Sequence, residues 1–137
     1  MTSNNDKKVL NVPALRFPEF SGEWIHKTID EIFELRNGYT PSKANQSFWN
    51  NGTIPWFRME DIRLNGGILY DAIQHITPEA VKGSGLFEPY SIILATTATI
   101  GEHAMIIADS LANQRFTNFK VRKSLSLRYA PYYLSLI

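Results

Sequence analysis

The sequence predicts an α+β fold: a compact domain with a curled, mixed or antiparallel sheet, a few short helices, and polar loops on one side. Three observations carry this. Short β-branched or alternating segments recur at 91–95, 104–108 and 116–121, each of strand length. Helix-start signals stand at Thr28 and Thr77, and neither opens a long periodic run. From Gly38 the chain is polar and lacks apolar periodicity until Ile54. Such a mixture of short elements fits a layered α+β domain and no repeat architecture.

Composition bounds the rest. A chain of 137 residues is long enough for one core and one domain. Its 44% hydrophobic and 20% charged content describes a folded protein. Fourteen basic against 13 acidic residues leave a net charge of only +1, so nucleic-acid binding through bulk charge is excluded. Contact with DNA then needs a local patch, or an assembly that supplies more charge. With no cysteine there is no disulfide, thiolate metal site or thiol nucleophile. The first residues lack the apolar run of a signal peptide, and no segment reaches membrane-span length. The expectation is a cytoplasmic chain without membrane contact.

In chain order, residues 1–11 read as a flexible polar tail, and residues 12–127 as the folded domain. Val12 to Trp24 has two prolines and flanking aromatics, which predicts an extended arm with Leu15, Phe17, Phe20 and Trp24 in pockets of the core. Thr28 and Glu31 fit a capping box, and Ile25, Ile29, Ile32 and Phe33 share one helical face. Asn37-Gly38 would end that helix. Asn65-Gly66-Gly67 predicts a turn between two strands, and Thr77-Pro78-Glu79 a short helix stopped at Gly83. Ser91 to Ala95 reads as a buried strand, Thr96 to Thr99 as a small-residue connection, and Ala104 to Ala108 as the returning strand. Phe116 to Val121 alternates like a half-exposed strand, and residues 128–137 read as the start of a further helix.

No catalytic site emerges. There is no phosphate-binding Gly-rich loop with Lys and Ser/Thr, no G-x-G-x-x-G after a strand, and no Asn/Asp-Pro-Pro-aromatic methyltransferase motif. His26, His75 and His103 are scattered; His26 with Asp30 or His75 with Glu79 makes at most two donors, where zinc needs three or four. Ser84 lies in a Gly83-Ser84-Gly85 turn that does not match a nucleophile elbow. Glu60-Asp61 lacks a catalytic lysine in strand context, and reads as a solvated pair or a partner of Arg58 and Arg63.

What remains is recognition. Gly38 to Arg63 concentrates side chains that pair with base edges, beside cations suited to phosphates. Arg36 and Lys43 are expected at phosphates, with Asn45, Gln46, Arg58 and Arg63 reading bases. Thr96, Thr97 and Arg115 line a second loop at the groove. Trp56 is expected in the core, while Trp49 is open to either role.

The order of several short motifs resembles the target-recognition domain of type I restriction-modification specificity subunits. The matching pieces are Val12-Pro13-Ala14-Leu15-Arg16-Phe17 with Gly22-Glu23-Trp24, then Gly38-Tyr39-Thr40-Pro41. Phe48 to Trp56 follows, then Asp61-Ile62, Ala98-Thr99-Ile100-Gly101 and Ala112-Asn113-Gln114-Arg115-Phe116. The resemblance implies a non-catalytic module reading one half of a split site in double-stranded DNA. It also implies methyltransferase (M) and restriction (R) subunits as partners, and a second specificity half-subunit supplying the other half-site. S-adenosylmethionine, ATP and magnesium would be bound by those partners and none by this chain. Residues 128–137 would open a truncated connecting helix. The rival expectation is an interaction-only remnant that pairs with partner subunits through that helix.

Overall fold

The computed structural model describes residues 12, 14–19 and 21–122. The expected tail at 1–11 and helix at 128–137 lie outside the described residues. The elements are α1 (Ile29–Ile32), β1 (Phe33–Asn37), β2 (Ile54–Phe57), α2 (Met59–Asn65), β3 (Ile68–Leu69), β4 (Gln74–Ile76), β5 (Ser91–Ala95), β6 (His103–Ile106), β7 (Leu111–Ala112) and β8 (Phe116–Val121). Single 3-10 turns stand at Gln46–Phe48 and Pro78–Ala80.

Two sheets form. One has the order β1-β8-β5-β6-β3, antiparallel except for the parallel β3–β6 pair. The other is β4-β2-β7, with β2 antiparallel to β4 and parallel to β7. This is the α+β class with mixed sheets that the sequence predicts.

The main core lies between the sheets. Ile93, Ala95, Ala104, Ile106 and Phe116 from the first meet Trp56, Phe57, Ile76 and Leu111 from the second. A smaller cluster of Phe33, Ile92 and Phe119 lies on the opposite face of the five-stranded sheet, with the Phe33 and Phe119 rings edge-on at 5.7 Å. The period of two explains this: along β8, Phe116 and Phe119 fall on opposite faces.

Several expectations are corrected. The helix predicted from the Thr28 cap to the Asn37-Gly38 stop is one turn long. Its capping box forms as expected, Thr28 N donating to Glu31 Oε2 and Glu31 N to Thr28 Oγ1. From Phe33 the chain becomes a strand: all five residues of β1 pair with β8, and Phe33 is thereby buried against Ile92 and Phe119. Ile25 and Ile29 accordingly stay exposed.

Three of the arm residues expected in pockets are exposed instead, Leu15 at 93%, Phe17 and Trp24; Phe20 lies outside the described residues. Asn65 to Gly67 joins α2 to β3 rather than two strands, with Gly66 at φ 76° closing the helix. Thr77 does not cap the 3-10 turn; its hydroxyl donates to Ser47 O at 2.7 Å, and the turn stops before Gly83. β8 is more buried than predicted, since neighbours on both edges and cores on both faces enclose it.

Candidate nucleic-acid interface

Strand polarity gathers the polar loops. β1, β5 and the parallel pair β2 and β7 end where β6 and β8 begin. Gly38 N donates to Phe116 O, Tyr39 N to Ala112 O, and Asn113 N to Phe57 O, each within 3.1 Å. Thr96 N donates to Arg115 O at 3.0 Å. The segments 37–40, 58, 96–102 and 113–115 therefore share one rim of the molecule, while 47–53 runs back to the start of β2, where Thr77 N donates to Phe48 O and Thr53 N to Ile76 O.

Two glycines set the path of the longest loop. A Cβ on Gly38 would overlap the carbonyl oxygens of Ala112 and Asn113. On Gly52 it would stand 2.5 Å from His75 O. Only glycine lets the backbone pass this close. Between them, Asn45 Oδ1 accepts from Ser47 N and Ser47 Oγ, fixing the 3-10 turn that carries Gln46.

A cation cluster occupies the middle of the rim. Trp49 and Trp56 meet edge-on at 5.0 Å, and each indole N–H is spent on a carbonyl, Ser42 O and Tyr39 O. Lys43 Nζ lies 3.4 Å from the Trp49 ring centre and 4.6 Å from that of Trp56, and donates to Gln74 Oε1 at 3.1 Å. The Arg58 guanidinium carbon is 6.0 Å from the Trp56 centre. Burial first, and the Arg58 charge second, hold the Lys43 ammonium below the usual lysine value. Arg58 Nε is buried with no hydrogen-bond acceptor; the nearest carboxylate, of Glu60, is 3.8 Å away.

Asp61 beside it is structural, not solvated or paired with Arg63 as expected. It is fully buried, accepting from Arg58 N and Ile73 N at 2.8 Å each, and so ties the start of α2 to the strand-connecting loop. Arg63 is exposed on the last turn of α2.

The second loop adjoins the first. Thr40 Oγ1 donates to Gln114 Oε1, Thr96 and Thr117 share a hydroxyl contact at 3.1 Å, and Thr117 donates to Asn37 Oδ1. Thr97, Ile100, Gln114 and Arg115 are exposed along this edge.

The rim thus brings together Arg58, Thr96, Thr97 and Arg115, with Lys43 beside Arg58 at the Trp56 ring; Asn45 and Gln46 adjoin it on the 3-10 turn that leads away toward Thr77. Arg36 stands apart from it. Its guanidinium donates to Leu86 O, Ser84 Oγ and Gly85 O and lies 5.2 Å from the Phe87 ring centre, so it braces the 84–87 turn.

Gln74 and Trp49 were not legible as members of the cluster, because the fold brings Gln74 from 31 residues away. Gln114 and Thr40 lie inside motifs visible in the sequence, and that was their signal. Among the described residues no group of three or more metal-ligating side chains forms, and no helix is long and apolar enough to cross a membrane.

Known proteins share this sequence and fold. Residues 21–137 match the model of the type I restriction modification DNA specificity domain. The EcoprrI specificity subunit of Escherichia coli, a type I restriction enzyme subunit, is 55% identical over 102 residues, covering 74% of this chain and 25% of that one. The HsdS subunit from Thermoanaerobacter tengcongensis shares the fold at a TM-score of 0.58 and 16% identity, over 77% of this chain and 25% of that one. A chain solved in a study of complex assembly and conformational transition of the type I R-M system gives the same TM-score, over 79% and 26%. The chain therefore spans about a quarter of the length of these relatives. With the family model matched over residues 21–137, the chain belongs to the type I restriction modification DNA specificity domain family.

Proposed function

We propose that this domain is a non-catalytic, sequence-specific DNA reader that recognises one half of a bipartite site for a type I restriction-modification complex. One observation carries the reading: polar loops converge on a single rim beside the Lys43–Arg58 pair, and no described residue accepts a hydrogen bond from the Arg58 guanidinium. Lys43, Arg58 and Arg115 supply charge there, and Asn45, Gln46, Thr96 and Thr97 supply neutral donors and acceptors. Arg36 stays outside this surface, bracing the 84–87 turn, and Arg63 contributes from the exposed side of α2.

The small net charge is no obstacle, because methyltransferase and restriction subunits complete the protein surface around the duplex. Those partners carry S-adenosylmethionine, ATP and magnesium, and a second recognition domain or half-subunit reads the other half-site. The working compartment is the cytoplasm, where these components meet DNA.

Selection of the purified chain against a randomised duplex pool, with and without a methyltransferase subunit, tests the proposal. Enrichment of a motif a few base pairs long is expected. Binding without enrichment that fades steeply with salt would reduce the domain to phosphate contact and refute sequence reading.

A further inference from the structure

We infer that Arg58 reads a guanine within the half-site, through the N7 and O6 acceptors of its major-groove edge; the inference rests on the half-site reading above. Arg58 is fixed at its root, since its N–H donates to Asp61 Oδ2 at 2.8 Å and its carbonyl accepts from Asp61 N at 3.1 Å. Its side chain is recessed, 27% exposed, between the Trp56 ring and Glu60. A guanidinium confined in this way keeps one plane, which bidentate pairing to a base edge requires.

The surroundings then select the base. Each acceptor beside the indole pair is occupied: Tyr39 O by Trp56, Ser42 O by Trp49, and Gln74 Oε1 by Lys43. No described residue accepts a hydrogen bond from the Arg58 guanidinium, and Nε is buried without one. Lys43 adds donors and no acceptor. The cluster therefore offers mainly donors, with the half-exposed Glu60 carboxylate as an acceptor beside them, placed to take an amino donor such as that of the paired cytosine.

Guanine presents two adjacent acceptors and nothing else to such a surface, whereas adenine and cytosine each bring an amino donor, and thymine brings one acceptor beside a methyl group. A phosphate is also acceptor-only. Glu60, with its carboxylate 3.8 Å from Arg58 Nε, repels that anion but not a neutral base edge.

The test uses the full chain and the duplex motif it enriches. At least one G·C position should be strongly preferred. Placing 7-deazaguanine there, which lacks N7, should weaken binding by the unaltered protein about tenfold. Arg58→Gln should lose preference at that one position by about five- to hundredfold. Preferences kept elsewhere in the motif would show that the variant is folded. An even loss across all sequences, with a shallower salt dependence, would make Arg58 a phosphate contact and overturn the inference. So would unchanged preferences at every position, a motif without a G·C pair, or indifference to 7-deazaguanine. Failure of the unaltered chain to enrich any motif would instead remove the half-site reading itself, and this inference with it.

Discussion

Gly38 and Gly52 shape the reading loop by the side chain they lack. Alanine at Gly38 would press a methyl group into the Ala112 and Asn113 carbonyls, which belong to a fixed strand end and cannot swing aside. Gly38→Ala should therefore cost about 2–4 kcal/mol in urea denaturation, beyond ordinary overpacking; a change under about 0.5 kcal/mol would show that the strand end yields. Asp61 makes a second test at this scale. Its removal leaves two N–H groups, of Arg58 and Ile73, without an acceptor in the interior. Asp61→Ala should cost about 2–5 kcal/mol, while Glu60→Ala, at the surface, should stay within about 0.5 kcal/mol. Equal effects would return the two acidic residues to one shared role. Arg36 differs from both: Arg36→Ala should lower stability by about 1–2 kcal/mol through the 84–87 turn and leave DNA sequence preference unchanged in the same pool selection. A changed motif would place Arg36 in the interface.

At the scale of elements, the capping box of α1 is a pH-sensitive joint. The Thr28 backbone N–H first, and its hydroxyl second, hold the Glu31 carboxyl below the usual glutamate value. A depressed carboxyl stabilises the folded form above its unfolded pKa, and that contribution disappears as pH falls through the lower folded value. The Thr28 amide proton should report this directly in an NMR acid titration, shifting with Glu31 below the range of free glutamates. A Thr28 amide that is silent while Glu31 titrates would contradict the cap. The same region shows what was legible. Thr28 and Glu31 announced the helix start, because a cap is a local contact four residues long. Its end was not legible, because Phe33 to Asn37 leave the helix to pair with β8, some eighty residues on. Likewise β5 was legible from its β-branched run, whereas the two-residue strands β3 and β7 exist only through their partners. The α2 helix hid inside what read as a polar cluster, its buried side reduced to Met59, Asp61 and Ile62.

For the whole molecule, the fold class followed from element lengths, and the loop regions of the rim followed from their polarity. The cation cluster did not, since Lys43, Trp49, Trp56, Arg58 and Gln74 meet only after β2 and β4 pair. The polar rim and the outer face of the five-stranded sheet are also distinct surfaces: Phe33, Ile92 and Phe119 lie on the side away from the main core. That separation makes the central claim, that DNA binds the rim formed by residues 37–40, 58, 96–102 and 113–115 with the adjoining stretch Lys43 to Gln46, open to direct mapping. The measurement is amide chemical-shift perturbation of the isotope-labelled chain, titrated with the duplex it enriches. The account predicts that the largest shifts fall on Lys43 to Gln46, Arg58, Thr96 to Gly101 and Asn113 to Arg115, with Phe33, Ile92 and Phe119 unmoved. Shifts centred on those three residues, or on the β3 edge at Ile68, would contradict it and place the nucleic-acid surface elsewhere.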